Sequence, residues 1–218
     1  MKSSVLPAES LLILGPTGSG KTPLGNHMET SGLHGRRCLH FDFGDALRTV
    51  AYSEGIPSGF RKKDITFIRD VLQKGLLLEN ETFFLAERVL LNFLAKKNFC
   101  KSDLLVLNGL PRHRSQAKDM TGIADIKGVI MLECTPDVVL ERIQQNTGRD
   151  RAGRTDDDRA MIRSKMETFR NRTIPMTQHY ADHGISILTI TVTASATGEQ
   201  LYADIMSQQV LPDPESLV

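Results

Sequence analysis

The residues best equipped for chemistry form one run: Gly15, Pro16, Thr17, Gly18, Ser19, Gly20, Lys21 and Thr22. It fits the pattern G-x-x-x-x-G-K-[ST]. Glycines let a backbone curl until its N–H groups point inward at a phosphate. A helix starting at the end of the run adds its positive end. Lys21 supplies a mobile positive charge for β- and γ-phosphates, and Thr22 offers a hydroxyl to Mg²⁺. An accidental glycine-rich turn would lack the apolar strand before it and the helix after it. Residues 11–14 read as that strand and residues 20–31 as that helix, stopped by Gly32. The motif indicates triphosphate binding and leaves the reaction open.

Other chemistries find little support. The three cysteines, Cys38, Cys100 and Cys134, lie far apart and are odd in number, which argues against a disulfide framework and points to a reducing cytoplasm. The six histidines show no ligand spacing, so no metal cage is expected. A formal net charge of +1 gives no bulk field toward nucleic acid or membrane, and any basic site must come from local clustering. The apolar run at 11–14 is too short for a membrane span or a signal-peptide core.

The phosphate loop needs a sheet to hold it. Short apolar runs at 11–14, 104–107 and 129–132 read as buried parallel strands, with a weaker one at 37–41 and a last one at 185–192. Helical spacing appears at 45–53, 63–74, 81–97, 136–145, 156–183 and 198–209, the fifth with a kink expected at Pro175. Residues 146–155 carry three arginines and two glycines without an apolar stripe and read as a loop. Residues 212–218 read as a frayed tail. Strands alternating with helices imply a parallel sheet with right-handed crossovers. The stretch between the run at 37–41 and the run at 104–107 is too long for one crossover and implies a helical insertion.

Four segments, in order, resemble the adenylate kinase family: GPTGSGKT at 15–22, GDALR at 44–48, NGLPRHRSQ at 108–116 and GRTDD at 153–157. The resemblance runs from about Leu11 to Met206. It implies a three-layer α/β/α fold of the P-loop class with a five-stranded parallel sheet. It divides the chain into a core (1–42, 79–145, 156–218), a helical monophosphate-binding insertion (43–78) and a short lid (146–155). It implies transfer of phosphate from ATP to a nucleoside monophosphate with Mg²⁺, by a cytoplasmic monomer whose partners are small nucleotides rather than nucleic acid or membrane. Arg48 and Arg112 match the arginines that clamp the acceptor phosphate, a task suited to a planar two-point guanidinium. Gln116 matches a glutamine on the adenine edge and favours AMP. Phe43 and Leu78 line the acceptor side. Arg142 matches an arginine stacked on the donor adenine. Arg149, Arg151 and Arg154 crowd the lid, where like charges are costly unless an anion joins them. Asp156 and Asp157 would orient these arginines.

The chain departs from the family at four places. Asn108 replaces an aspartate that supports the water shell of Mg²⁺. Pro23 follows Thr22, so an N–H toward the α-phosphate is missing. Phe43 replaces a threonine or serine facing the acceptor base. Lys165 replaces an arginine of the lid helix, keeping charge but losing the two-point grip. Asp42, ending the second strand, stands where some small-molecule P-loop kinases, such as shikimate kinases, place a metal-facing aspartate, so Mg²⁺ is assigned to Thr22 and Asp42. Restoring an acid at 108 is expected to be neutral or mildly helpful. Two other readings fit the departures: a P-loop kinase for a different small acceptor, and an adenylate-binding module with weak transfer.

Overall fold

In the computed structural model, which describes residues 6–150, 158–208, 210 and 211, five parallel strands form one sheet in the order β2-β3-β1-β4-β5. They are β1 (Ala8–Leu14), β2 (Cys38–Asp42), β3 (Leu104–Asn108), β4 (Ala124–Glu133) and β5 (Ser186–Thr191). β1 is central, with Leu12 paired to Leu107 on one side and to Val129 on the other. The glycine-rich run therefore leaves the carboxyl end of the middle strand, where open α/β sheets bind ligands.

The strands are apolar on both faces because both are covered. On one face α1 (Lys21–Ser31) and α9 (Gly198–Met206) bury Leu24, Met28, Leu201 and Ile205 against Leu11, Ile13, Val106, Ile130 and Leu132. On the other, α4 (Phe83–Lys96) and α8 (Pro175–Asp182) bury Val89, Leu90, Met176 and Tyr180 around Leu12, Phe41, Leu107 and Met131. The result is the three-layer arrangement expected from the sequence.

Between β2 and β3 lie α2 (Phe43–Ala51), α3 (Lys62–Lys74) and α4. α2 starts with no loop at the end of β2, because the Asp42 carboxylate accepts from the Asp45 N–H at 3.0 Å and caps it. α3 is capped by mutual bonds between Arg61 and Asp64 and stops at Gly75, whose φ of 62° is the left-handed conformation of a helix end. After β3 come the short α5 (Arg114–Asp119), then α6 (Pro136–Gln145) beyond β4 and α7 (Arg159–Thr168). No helix among the described residues is long and apolar enough to cross a membrane.

Four elements differ from expectation. β1 and β4 extend several residues toward their amino ends, through Glu9, Ser10, Asp125 and Lys127, which no apolar run announces. α5 has six residues, too few to show a period. The single helix expected over 156–183 is α7, a π-turn at Phe169–Thr173 and α8, with Asp156 and Asp157 outside the described residues. Pro175 has no N–H, and its ring would strike the carbonyl one turn back. The backbone widens instead, and Ile174 N–H bonds the Phe169 carbonyl five residues back at 2.9 Å.

Candidate active site

The loop from Gly15 to Thr22 closes on itself. Lys21 Nζ donates to the carbonyls of Gly15 at 2.8 Å and Pro16 at 2.7 Å, which hold the ammonium over the loop. Gly20 has φ of 97°, and a Cβ there would lie 3.0 Å from Arg142 Nη2, so both conformation and space require glycine. The buried Ser19 hydroxyl has no hydrogen-bond partner among the described residues, a polar group inside the cradle left for something else to satisfy.

Beside the loop, Thr22 Oγ1 donates to Asp42 Oδ2 at 2.5 Å, and Asn108 Nδ2 donates to the same oxygen at 2.9 Å. Three residues from three elements thus meet at one carboxylate. Burial pushes the Asp42 carboxyl up, but the Thr22 hydroxyl and the Asp45 N–H more than offset it and leave the group below its ordinary value. Asp42 is ionised at neutral pH. The Thr22 hydroxyl keeps lone pairs once its proton points at Asp42, so the pair offers only oxygen acceptors, a donor set suited to a hard cation. The pair fits Mg²⁺. In the metal-free protein Asn108→Asp carries a cost: a carboxylate in that place would sit about 3 Å from another one, and two such groups cannot both ionise freely.

The cleft in front of these residues is lined by Lys21, Arg48, Arg112 and Lys165 against the carboxylates of Asp42 and Asp150. Arg48 reaches Asp45 at 3.5 Å. Arg112 makes no ion pair among the described residues; burial, then the neighbouring Arg172, lowers its affinity for its proton. An arginine does not deprotonate in proteins, so such a cation calls for an anion. Phe43 and Leu78 are buried walls of the same cleft.

Gln116 lies in the cleft wall but its amide is already engaged. Oε1 accepts from the Arg112 N–H at 2.7 Å, Nε2 donates to the Leu78 carbonyl at 2.8 Å, and the residue is 1% exposed. It braces Arg112 and Leu78 rather than offering a free amide to a base. Around it, Arg172 makes a two-point ion pair with Glu79 at 2.6 and 2.9 Å, and Thr173 Oγ1 donates to the Arg112 carbonyl at 2.9 Å. The π-turn thus supports the loop that carries Arg112.

Arg142 also differs from expectation. Its guanidinium donates to the carbonyls of Gly18 (2.9 Å), Thr193 (2.8 Å), Ala194 (3.3 Å) and Ala196 (2.8 Å), and the residue is 3% exposed. It ties the phosphate loop to the β5–α9 connection instead of presenting a face to a base. Arg149 is exposed and lines an adjoining groove with Asn26 and His40, a groove that shares Thr22, Asp42, Arg48 and Asp150 with the cleft. Arg151 and Arg154 fall outside the described residues. Pro23 packs under two glycines: a Cβ on Gly148 would meet its ring at 2.8 Å, and one on Gly198 its carbonyl oxygen at 2.5 Å.

Sequence reasoning did not single out Asn26, His40, Glu79 or Arg172. A signal existed for His40, a polar residue inside the apolar run of β2, since buried polar groups need partners. Glu79 and Arg172 are far apart in sequence, and no local pattern joins them.

A family model described as AAA domain matches residues 14–163. An adenylate kinase of Xylella fastidiosa (strain M23) is 30% identical over 181 residues, which cover 80% of this chain and 87% of the relative. An adenylate kinase of Prochlorococcus marinus (strain MIT 9313) is 28% identical over 182 residues, covering 81% and 87%. Among solved structures, a gluconokinase from Sinorhizobium meliloti 1021 aligns over 92% of this chain and 90% of its own, with a TM-score of 0.50 and 16% identity, a likeness of fold alone.

Proposed function

The chain belongs to the adenylate kinase family, and from that premise we propose that it moves the γ-phosphate of ATP onto a nucleoside monophosphate, with AMP preferred (ATP + AMP ⇌ 2 ADP). The observation that carries this reading is the cleft itself: four cationic side chains against two carboxylates, with Arg112 unpaired among the described residues. Such a site favours two phosphate-bearing anions brought together. The attacking group is already a phosphate oxygen, so no strong base is required. Lys21 and the loop N–H groups would hold the donor phosphates; Arg48 and Arg112 would hold the acceptor phosphate in line. Lys165 faces the same space and adds charge between them. Residues 43–78 would grip the acceptor, and residues 146–155, including Arg154, would close over the donor and exclude water.

Mg²⁺, when bound, would neutralise charge on the β- and γ-phosphates. Thr22 and Asp42 are the residues placed to hold it, directly or through water. Asp42→Asn is expected to raise the Mg²⁺ concentration for half-maximal activity about tenfold or more; an unchanged Mg²⁺ dependence removes Asp42 from that role. Asn108→Asp is expected to lower the Tm of the metal-free protein at neutral pH. The sign follows from the pairing. The shared site raises one carboxyl's folded-state pKa, so stability is retained in acid and lost as pH rises through that value. Equal Tm values for variant and wild type across that range would contradict the geometry.

AMP preference rests on the family and on Gln116 lying in the wall of the acceptor side. Reading adenine would require Gln116 to exchange its bond to the Leu78 carbonyl for bonds to the base. Because that amide is engaged, a second reading stands beside the first: the same transfer to a different small acceptor. A coupled assay with ATP and Mg²⁺ against AMP, UMP, CMP, GMP and non-nucleotide alcohols separates them. AMP should give the highest kcat/KM. A higher value for any other acceptor overturns the AMP assignment, and absence of transfer to all of them overturns the kinase reading.

A further inference from the structure

The hydrogen bonds at Asp42 continue inward, and the role of each partner follows from the last. An ionised carboxylate only accepts, so the end of Asn108 that lies 2.9 Å from Asp42 Oδ2 is the NH₂. The same NH₂ lies 3.2 Å from Thr22 Oγ1 and 3.4 Å from His40 Nε2. His40 Nε2 must then be the bare, accepting nitrogen. A ring whose Nε2 accepts is neutral and carries its one proton on Nδ1. Nδ1 lies 2.9 Å from Asn26 Oδ1, which accepts that proton. One pattern of donors and acceptors satisfies the whole chain.

Space for the ring comes from α1. A Cβ on Gly25 would come within 2.3 Å of His40 Nε2, so the imidazole occupies room that only glycine leaves. Asn26, the next residue, supplies the acceptor. At the far end, Asn108 Oδ1 has no hydrogen bond among the described residues, and Asn108 lines the cleft beside Lys21 and Thr22.

We propose that Asn26 and His40 are positioning residues that fix the direction of the Asn108 amide, so that its NH₂ braces the Asp42 carboxylate and the Thr22 hydroxyl and holds that pair in place for a cation. The proposal rests on Thr22 and Asp42 as the cation-holding pair. With the proton on Nε2 instead, donor would face donor. The amide would turn over, lose its bond to Asp42 and leave the pair without its brace. A carboxamide held this way steadies the carboxylate without placing a second negative charge beside it.

Two measurements test it. Long-range ¹H–¹⁵N spectra of the wild-type protein at neutral pH should show His40 protonated on Nδ1; protonation on Nε2 overturns the proposal whatever the enzyme's substrate. Binding of Mn²⁺ in the presence of ATP, followed by the EPR signal of free Mn²⁺, should weaken about tenfold in Asn26→Leu and in His40→Leu, the range for lost outer partners of a metal site. His40→Gln should recover most of the loss, because its Oε1 can accept from Asn108 and its NH₂ can donate to Asn26; a purely space-filling role would not distinguish Gln from Leu. Wild-type Mn²⁺ binding in Asn26→Leu, with binding weakened in Asp42→Asn, overturns the proposal and leaves the Thr22–Asp42 pair standing. Unchanged binding in Asp42→Asn overturns both. Should His40→Leu not fold, Asn26→Leu and the wild-type tautomer decide alone.

Discussion

Lys21→Ala is expected to lower kcat by about 10²–10³-fold or more, the scale for removing one preorganised charge from developing negative charge. The effect belongs in kcat. The ammonium is worth most where charge accumulates on the transferred group, and uniform binding of substrate contributes little to the barrier. The fold should survive. The carbonyls of Gly15 and Pro16 accept from Nζ, and Gly15 lines the cleft, so water can take the lysine's place there. Tm should move by a few degrees at most. Steady-state kinetics beside a thermal melt check both halves. A variant with kcat within tenfold of wild type would mean that the glycine-rich loop binds nucleotide without taking part in transfer.

Arg142→Ala should instead show its largest effect on stability. Its four carbonyl partners come from two separate stretches, Gly18 in the phosphate loop and Thr193 to Ala196 after β5. Removing the guanidinium leaves buried acceptors unmet, at about 1–3 kcal/mol each before water enters the gap. A total loss of about 3 kcal/mol or more is expected, or roughly 6–12 °C in Tm for a chain of this size. Arg142→Lys keeps the charge but cannot span both stretches, and should lose a large part of that stability as well. If Arg142→Ala melts like wild type and only the KM for ATP rises, the arginine serves the donor base and not the scaffold.

The phosphate loop and the sheet were legible because each is local. A strand, a glycine run and a helix follow one another within 8–31, and apolar runs announce the buried centres of the strands. The arginines at 48 and 112, singled out by their motifs, both line the one cleft. What a side chain's polar atoms are already doing was not legible. Gln116 and Arg142 both carry the residue type that reads a base, and both have those atoms engaged by backbone carbonyls or N–H groups. Such partners are set by loops that meet only in the folded chain. Asn108 shows the same limit from the other side. As a lone departure it suggested a lost ligand; beside Asp42 its NH₂ is the group that makes a neighbouring carboxylate tolerable.

The segment carrying α2 and α3 stands on two feet. One is Asp42, which caps α2 directly at the end of a sheet strand. The other is Leu78 with Glu79, held by Gln116 through the Leu78 carbonyl and by the two-point grip of Arg172. The segment is also stapled along one flank to α4, where Arg88 Nη1 reaches Asp64 Oδ2 at 3.7 Å and Asn92 Nδ2 donates to the Ser58 carbonyl at 3.2 Å. A block tied at both ends and along one side behaves as a braced beam, and the walls it gives the cleft, Phe43 and Leu78, are set by the sheet, by α4 and by the π-turn together.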